Sequence, residues 1–208
     1  MQIEKFPAPS VQKVSFEDFL IQYDGVSAEW LNGVVERMSP VTGRHNRLTR
    51  FISNYLEYFC ALKDIPCTIF TDTVVMRLGD RGREPDVMLV LGQHSARITG
   101  AYVDGPADLI VEIVSPESDR RDRVEKLQEY ESGGVEEYWI IDPAFSEALF
   151  YQRGADGLYT RISPDSTGRY ASRVVSGLHF PVTALWQDAL PGLSEIIAMI
   201  QTELGSNP

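Results

Sequence analysis

The chain has 208 residues, 43% hydrophobic and 24% charged, a composition ordinary for a globular protein with one sizeable core. Its apolar runs are strand-sized, short of the ~20 residues that cross a bilayer, and the N-terminus lacks the succession of a secretory leader, so no membrane is expected and the expected location is cytoplasmic. A net charge of −11 argues against a protein that coats nucleic acid through an overall basic surface, so any such function has to rest on local charge.

No Pro/Gly/Ser-rich linker divides the chain, which reads as a single domain over residues 1–208. In chain order, "VSFEDFL" starts a short helix with Ser15 as N-cap and Asp18 three residues on. "AEWLNGVVERMSP" then reads as a hairpin turning at Asn32-Gly33, a dipeptide that tolerates positive φ. From about Gly43, the spacing of Leu48, Phe51, Ile52, Tyr55, Leu56 and Phe59 predicts a long amphipathic helix. Three strands follow, "CTIFTD", "TVVMRLG" and, after the turn residues "DRGRE", "PDVMLVLG"; "ADLIVEIVS" is a fourth. A helix in "DRRDRVEKLQEYESGG", capped by Ser115 or Ser118 and stopped at Gly133-Gly134, leads to the strand "EEYWIID". Beyond it come the hairpin "EALFYQRGADGLYTRIS", two β-segments around "RYASRVVSGLHF", and a terminal helix in "LSEIIAMIQTEL". The fold class is α/β with a mixed sheet, not an alternating doubly wound one.

Cys60 and Cys67 form neither a disulfide framework nor a metal cluster and read as small hydrophobes. The basic clusters Arg44/Arg47/Arg50, Arg77/Arg81/Arg83 and Arg120/Arg121/Arg123/Lys126 are each explained equally well by solvated faces.

Two acids stand out. Glu112 sits inside "LIVEIV", where strand alternation places it with Asp108, Ile110 and Val114 on one face, and an unpaired buried carboxylate costs several kcal/mol. Asp86 enters the apolar strand of "EPDVMLV" directly after a proline. Two acids from two strands can converge on Mg²⁺ or Mn²⁺, which is satisfied by one or two carboxylates with water and phosphate oxygens. On the helix that follows, 100° per residue puts Arg123, Lys126 and Tyr130 on one stripe, a cationic and aromatic face suited to gripping a phosphate and steadying a nucleophile. A solvent-exposed face with pairs such as Asp122 to Lys126 accounts for the same residues. His94 and His179 have no partner spacing, and Tyr138 and Trp139 read as core.

The ordered set "EPDVMLV", "ADLIVEIVSPESDRRDRVEKLQEY" and "GGVEEYWIIDP", preceded by "AEWLNGVVERMSPVTGRHNRL", resembles the Uma-type family of restriction-endonuclease-like proteins, a branch of the PD-(D/E)XK nuclease superfamily. The resemblance runs from about residue 15 to "LPGLSEII". It implies an αβββαβ core over about residues 43–143, with an N-terminal helix and hairpin before it and a C-terminal β-hairpin extension after it. It also implies DNA as substrate, Asp86 and Glu112 as catalytic metal ligands for Mg²⁺ or Mn²⁺, and Lys126 as the catalytic lysine. The superfamily pattern places a lysine two residues after the motif acid, where this chain has Val114, so Lys126 on the next helix takes its part. By the same resemblance Glu29 completes the ion's surroundings and His45 touches metal, water or phosphate, while the cationic helix stripe assigns Arg123 and Tyr130 to phosphate or substrate; an exposed hairpin acid and a helix-start histidine have innocuous explanations as well.

Two readings compete with a metal-dependent endonuclease. One is a DNA-binding or protein-interaction module of the same fold whose acids simply pair with Lys126, favoured by Val114 and the acidic charge. The other, weaker, is a glycosidase using paired carboxylates, for which the chain lacks aromatic-rich sugar-binding loops. Mixed sheets with exposed ends often pair, and a homodimer would let two sites address two strands.

Overall fold

A computed structural model describes residues 13–71 and 74–205; the N-terminal stretch on which the absence of a leader was read lies outside them. Helix α1 (Phe16–Gln22) begins at Ser15, whose Oγ accepts from the Asp18 amide at 3.0 Å. Strands β1 (Ala28–Leu31) and β2 (Val34–Arg37) form the expected hairpin, with Asn32 and Gly33 at φ 48° and 89°. Helix α2 (Gly43–Leu62) is capped by Thr42 and buries the whole predicted stripe from Leu48 to Phe59. Strands β3 (Cys67–Thr71), β4 (Val75–Leu78), β5 (Arg81–Arg83), β6 (Val87–Leu91), β7 (Tyr102–Asp104) and β8 (Leu109–Ile113) follow. A π-helical turn over Arg121–Glu125 runs into α3 (Lys126–Gly133), which ends at Gly134 with φ 88°. The chain closes with β9 (Glu137–Asp142), β10 (Glu147–Arg153), β11 (Tyr159–Ile162), β12 (Arg169–Ala171), β13 (His179–Pro181) and α4 (Leu193–Gly205).

The larger sheet has the order β11-β10-β9-β8-β6-β3, antiparallel except for the parallel β8–β9 pair. With α2 and α3 it contains the αβββαβ succession, α2-β3-β6-β8-α3-β9, and β10–β11 is the C-terminal hairpin extension. Strand alternation splits the core. Val87, Leu89, Leu109, Val111, Ile113, Trp139 and Ile141 pack on the α2 and α4 side. Met88, Val90, Ile110, Tyr138 and Ile140 pack with Tyr130 of α3, Met76 of β4 and Val103 of β7.

The strand allocation departs from the sequence reading. "TVVMRLG" does not join the larger sheet: β4 belongs to a second one, β2-β1-β5-β4-β7, which also takes up the N-terminal hairpin. Only part of "DRGRE" is a turn. Gly79, at φ 60°, and Asp80 reverse the chain, and Arg81–Arg83 is a strand between β1 and β4. An Arg-Gly-Arg segment has no intrinsic strand preference. Its pairing depends on Gly82, where a methyl group would stand 3.0 Å from the Phe16 ring and 3.1 Å from Val75, and on the ion pairs of Arg83 described below.

Tyr138 and Trp139 are both fully buried. Trp139 meets Phe150, Tyr170 and Phe180 at ring separations of 5.3, 5.4 and 5.0 Å, and its indole N–H donates to Glu137 at 2.7 Å. Trp139→Ala is expected to cost about 3–5 kcal/mol in urea unfolding, because the cavity is lined on three sides by rings that cannot collapse together; a loss below about 1 kcal/mol would mean the core is looser than this packing.

Candidate active site

Asp86 and Glu112 come from neighbouring strands of the larger sheet. β6 and β8 pair with Val87 opposite Val111, and continuing that antiparallel register by one residue sets Asp86 beside Glu112. The Asp86 carboxylate straddles the join: Oδ2 accepts from the Ile113 amide at 2.6 Å and Oδ1 lies 2.8 Å from His45 Nε2. His45 stands in the first turn of α2, its own amide donating to the Thr42 cap.

Glu112 turns toward α3. Its Oε1 accepts from Lys126 Nζ and from the Tyr130 hydroxyl, each at 2.8 Å. Lys126 Nζ is also 3.0 Å from Glu29 Oε1 and 3.5 Å from Asp122 Oδ1, so one ammonium serves three carboxylates. Glu29, Glu112, Asp122 and Lys126 are all at most 4% exposed. Beyond Glu29 the network continues outward. Arg83 pairs with Glu29 through Nη1 and with Glu129 of α3 through Nε and Nη2, at 2.8 and 2.9 Å, and Arg81 holds Glu129 at 2.9 Å.

Acids outnumber bases here, and the proton affinities follow. Burial, reinforced by Asp122, Asp86 and Glu29, pushes the Glu112 carboxyl above the ordinary carboxylate range, and the Lys126 ammonium opposes it. Burial likewise raises Asp122. Glu29 goes the other way: Lys126 and Arg83 outweigh its burial and hold it at about 2. The three acids in turn keep the Lys126 ammonium charged against the effect of burial.

The structure therefore brings together two adjacent groups, His45 with Asp86, and Glu112 with Lys126, Tyr130 and Glu29, set side by side by the β6–β8 register. Arg123 stands apart from both. Its guanidinium faces the β9–β10 turn and is taken by Asp119 at 2.6 Å, Asp142 at 2.6 Å and Glu147 at 2.8 Å, so it is bound to carboxylates and is not held out for a phosphate. The reason is the π turn: the Lys126 amide bonds to Arg121 O, five residues back, and the wider turn breaks the 100° phase that put Arg123 on the Lys126 stripe. Two residues of the cluster were missed. Asp122, expected as half of an exposed i,i+4 pair, is buried, and Arg83, expected in a turn, lies in a strand. Only the i−4 spacing of Asp122 from Lys126 signalled the first, and nothing local signalled the second. His94 also has a partner, Asp108 at 2.6 Å, outside the cluster.

An open cleft of about 630 Å³ is lined by Arg77, Arg81, Asp104 and Glu129 and by none of Asp86, Glu112 or Lys126. The cluster's open edge is Asp86 and His45, whose side chains are 16% and 9% exposed.

Two measurements test this electrostatic picture. Lys126→Met should destabilise the protein by about 3–5 kcal/mol by chemical denaturation, since it strands buried carboxylates, and adding Glu112→Gln should restore part of that loss. Glu84, which accepts from Ser27 Oγ and the Ala28 amide, is raised by burial from 4.5 to about 7. Between those values the folded state binds more protons than the unfolded chain, so this group's contribution to stability falls as pH rises through the window. Thermal unfolding across pH 4.5–7 should accordingly show a flatter profile in Glu84→Gln; an unchanged slope would refute the assignment.

A solved structure from Anabaena variabilis, described as "a putative nuclease belonging to DUF820", resembles this chain with a TM-score of 0.67 at 17% identity, covering 83% of this chain and 97% of that one. At that identity the likeness is one of fold. No curated protein matches the chain. The family model that matches residues 16–183, spanning α1 to the segment after β13, carries the description "Putative restriction endonuclease", and the chain belongs to this family, Uma2.

Proposed function

We propose that the protein is a Mg²⁺- or Mn²⁺-dependent DNA endonuclease that hydrolyses phosphodiester bonds at the Asp86/Glu112 edge of the larger sheet. The observation that carries this reading is the convergence of two acids from adjacent strands beside a buried lysine, in a chain of the Uma2 family.

The residues suit a hard divalent cation. All the candidate donors are carboxylate oxygens, both hydrogen bonds to Glu112 fall on Oε1, and Asp122 Oδ1 is buried without a hydrogen-bond donor, an excess of negative charge that a cation relieves. No group of three or more His, Cys, Asp or Glu side chains is gathered as a metal cage among the described residues; Asp86 and Glu112 would hold the ion, since Mg²⁺ needs only one or two carboxylates besides water and phosphate oxygens. When bound, such an ion polarises the phosphate and makes its water a better nucleophile.

The chain's own groups do the rest. His45 and the Ile113 amide fix Asp86 at the rim; Tyr130 fixes Glu112. Lys126 holds the attacking water in line or balances the charge that develops on phosphorus, in place of the motif lysine that Val114 displaces. Glu29, which accepts from Arg83 and Lys126, serves as the lysine's counter-ion and no longer as a metal ligand.

Purified protein should nick supercoiled plasmid with Mg²⁺ or Mn²⁺ and stop on adding chelator. Asp86→Ala and Glu112→Ala should abolish cleavage with circular dichroism unchanged, and Lys126→Met should lower the rate by about a hundredfold or more. Cleavage that survives both acid substitutions would overturn the mechanism. One observation favours a second reading, a DNA-binding or interaction module without catalysis: Lys126 already neutralises Glu112 at 2.8 Å. Calorimetry separates the two, because only the nuclease reading requires Mn²⁺ binding that disappears with Glu112.

A further inference from the structure

Asp122 is the acid of the Lys126 cluster that no strand supplies, and the helix is distorted where it stands. The turn over Arg121–Glu125 closes five residues instead of four, with the Lys126 amide bonded to Arg121 O. Such turns sacrifice regular packing of the backbone ladder and recur at functional sites. This one has a fixture of its own: the buried Tyr138 hydroxyl, reaching across from β9, donates to the Asp122 carbonyl at 3.0 Å. The product of the distortion is a carboxylate 2% exposed, with Oδ1 lacking any hydrogen-bond donor and aimed at Lys126 Nζ from 3.5 Å. A surface i,i+4 pair needs neither the burial nor the altered turn.

The other two acids around Lys126 are shared. Glu29 divides its charge between Lys126 and Arg83, and Glu112 is, on the reading above, the carboxylate that leaves the lysine to hold a cation. An ammonium 2% exposed that lost Glu112 with nothing in exchange would be pulled after it or driven out of the interior. We infer that Asp122 is a positioning residue that keeps Lys126 in place when the charge of Glu112 is engaged elsewhere, and that Tyr138 locks the π turn presenting it. The inference rests on the nuclease reading for its purpose, and its geometry stands apart from that reading.

Replacing Glu112 by glutamine withdraws its charge without any metal, which makes the test independent of activity. The rate at which Lys126 reacts with an amine-directed acylating reagent, followed by mass spectrometry, reports whether the side chain has left its seat. Glu112→Gln and Asp122→Asn are each expected to label within about threefold of the unaltered protein, and the double variant at least about thirtyfold faster, a coupling that independent sites do not show. A double variant that labels no faster than the product of the single effects overturns the inference. Should Asp122→Asn fail to fold, Tyr138→Phe combined with Glu112→Gln, which keeps the acid and frees the turn, should show the same coupled increase, and its absence counts equally against the proposal. In cleavage assays Asp122→Asn should lower kcat by about tenfold with KM within about twofold. If the unaltered protein cleaves no DNA, the nuclease reading falls, while the labelling cycle still decides what Asp122 does for Lys126.

Discussion

The interaction on which the rest depends is the buried ammonium of Lys126 among Glu112, Glu29 and Asp122. A charge withdrawn from water is tolerated only where its counter-charges are in place, so every element that delivers one of them is constrained at once. Glu112 requires β8 to keep its register with β6; Glu29 requires the N-terminal hairpin to lie over α3; Asp122 requires the π turn. Apolar packing brings these elements together, and the lysine permits little freedom in how they meet.

Arg83 extends the constraint to the second sheet. Its planar guanidinium spends Nη1 on Glu29 and Nε with Nη2 on Glu129, so one side chain ties β1, β5 and α3. A lysine has no fork to do this. The strand that carries Arg83 is three residues long and contains a glycine pressed against Phe16, so that strand exists for its place in the ion-pair network more than for any preference of its own. The second sheet, which adds nothing to the αβββαβ succession, thereby furnishes the lysine's far counter-ion.

A second buried acid shows why burial alone is a poor guide to chemistry. Glu137, at the start of β9, is fully buried like Glu112. It is met by Trp139 Nε1 on one oxygen and by Ser172 Oγ and the amides of Arg173 and Val174 on the other, at 2.7–3.0 Å. Both of its oxygens are committed to fixed neutral donors, which tie the β12 segment to the sheet. Glu112 has its donors on one oxygen, one of them a cation, among acids that raise its proton affinity. The difference between a structural acid and a candidate ligand lies in what remains unmatched.

Much of this was legible in the sequence. Strand alternation in "LIVEIV" identified Glu112 as a buried exception, "EPDVMLV" marked Asp86, and the four-residue step from Lys126 to Tyr130 correctly placed both on one helical face, because these are properties of period and spacing that a short segment carries by itself. The long α2 stripe and the Asn32-Gly33 hairpin belong to the same class. Only the tertiary structure decided the rest. Arg83 finds Glu29 54 residues away, a pairing with no local signature. The π turn differs from an α turn by one shift in hydrogen-bond partner, selected by a tyrosine on another strand, and that shift moved Arg123 to the β9–β10 turn and Asp122 into the interior. Local sequence set which side chains could share a face; the balance of buried charge between distant elements determined which of them meet.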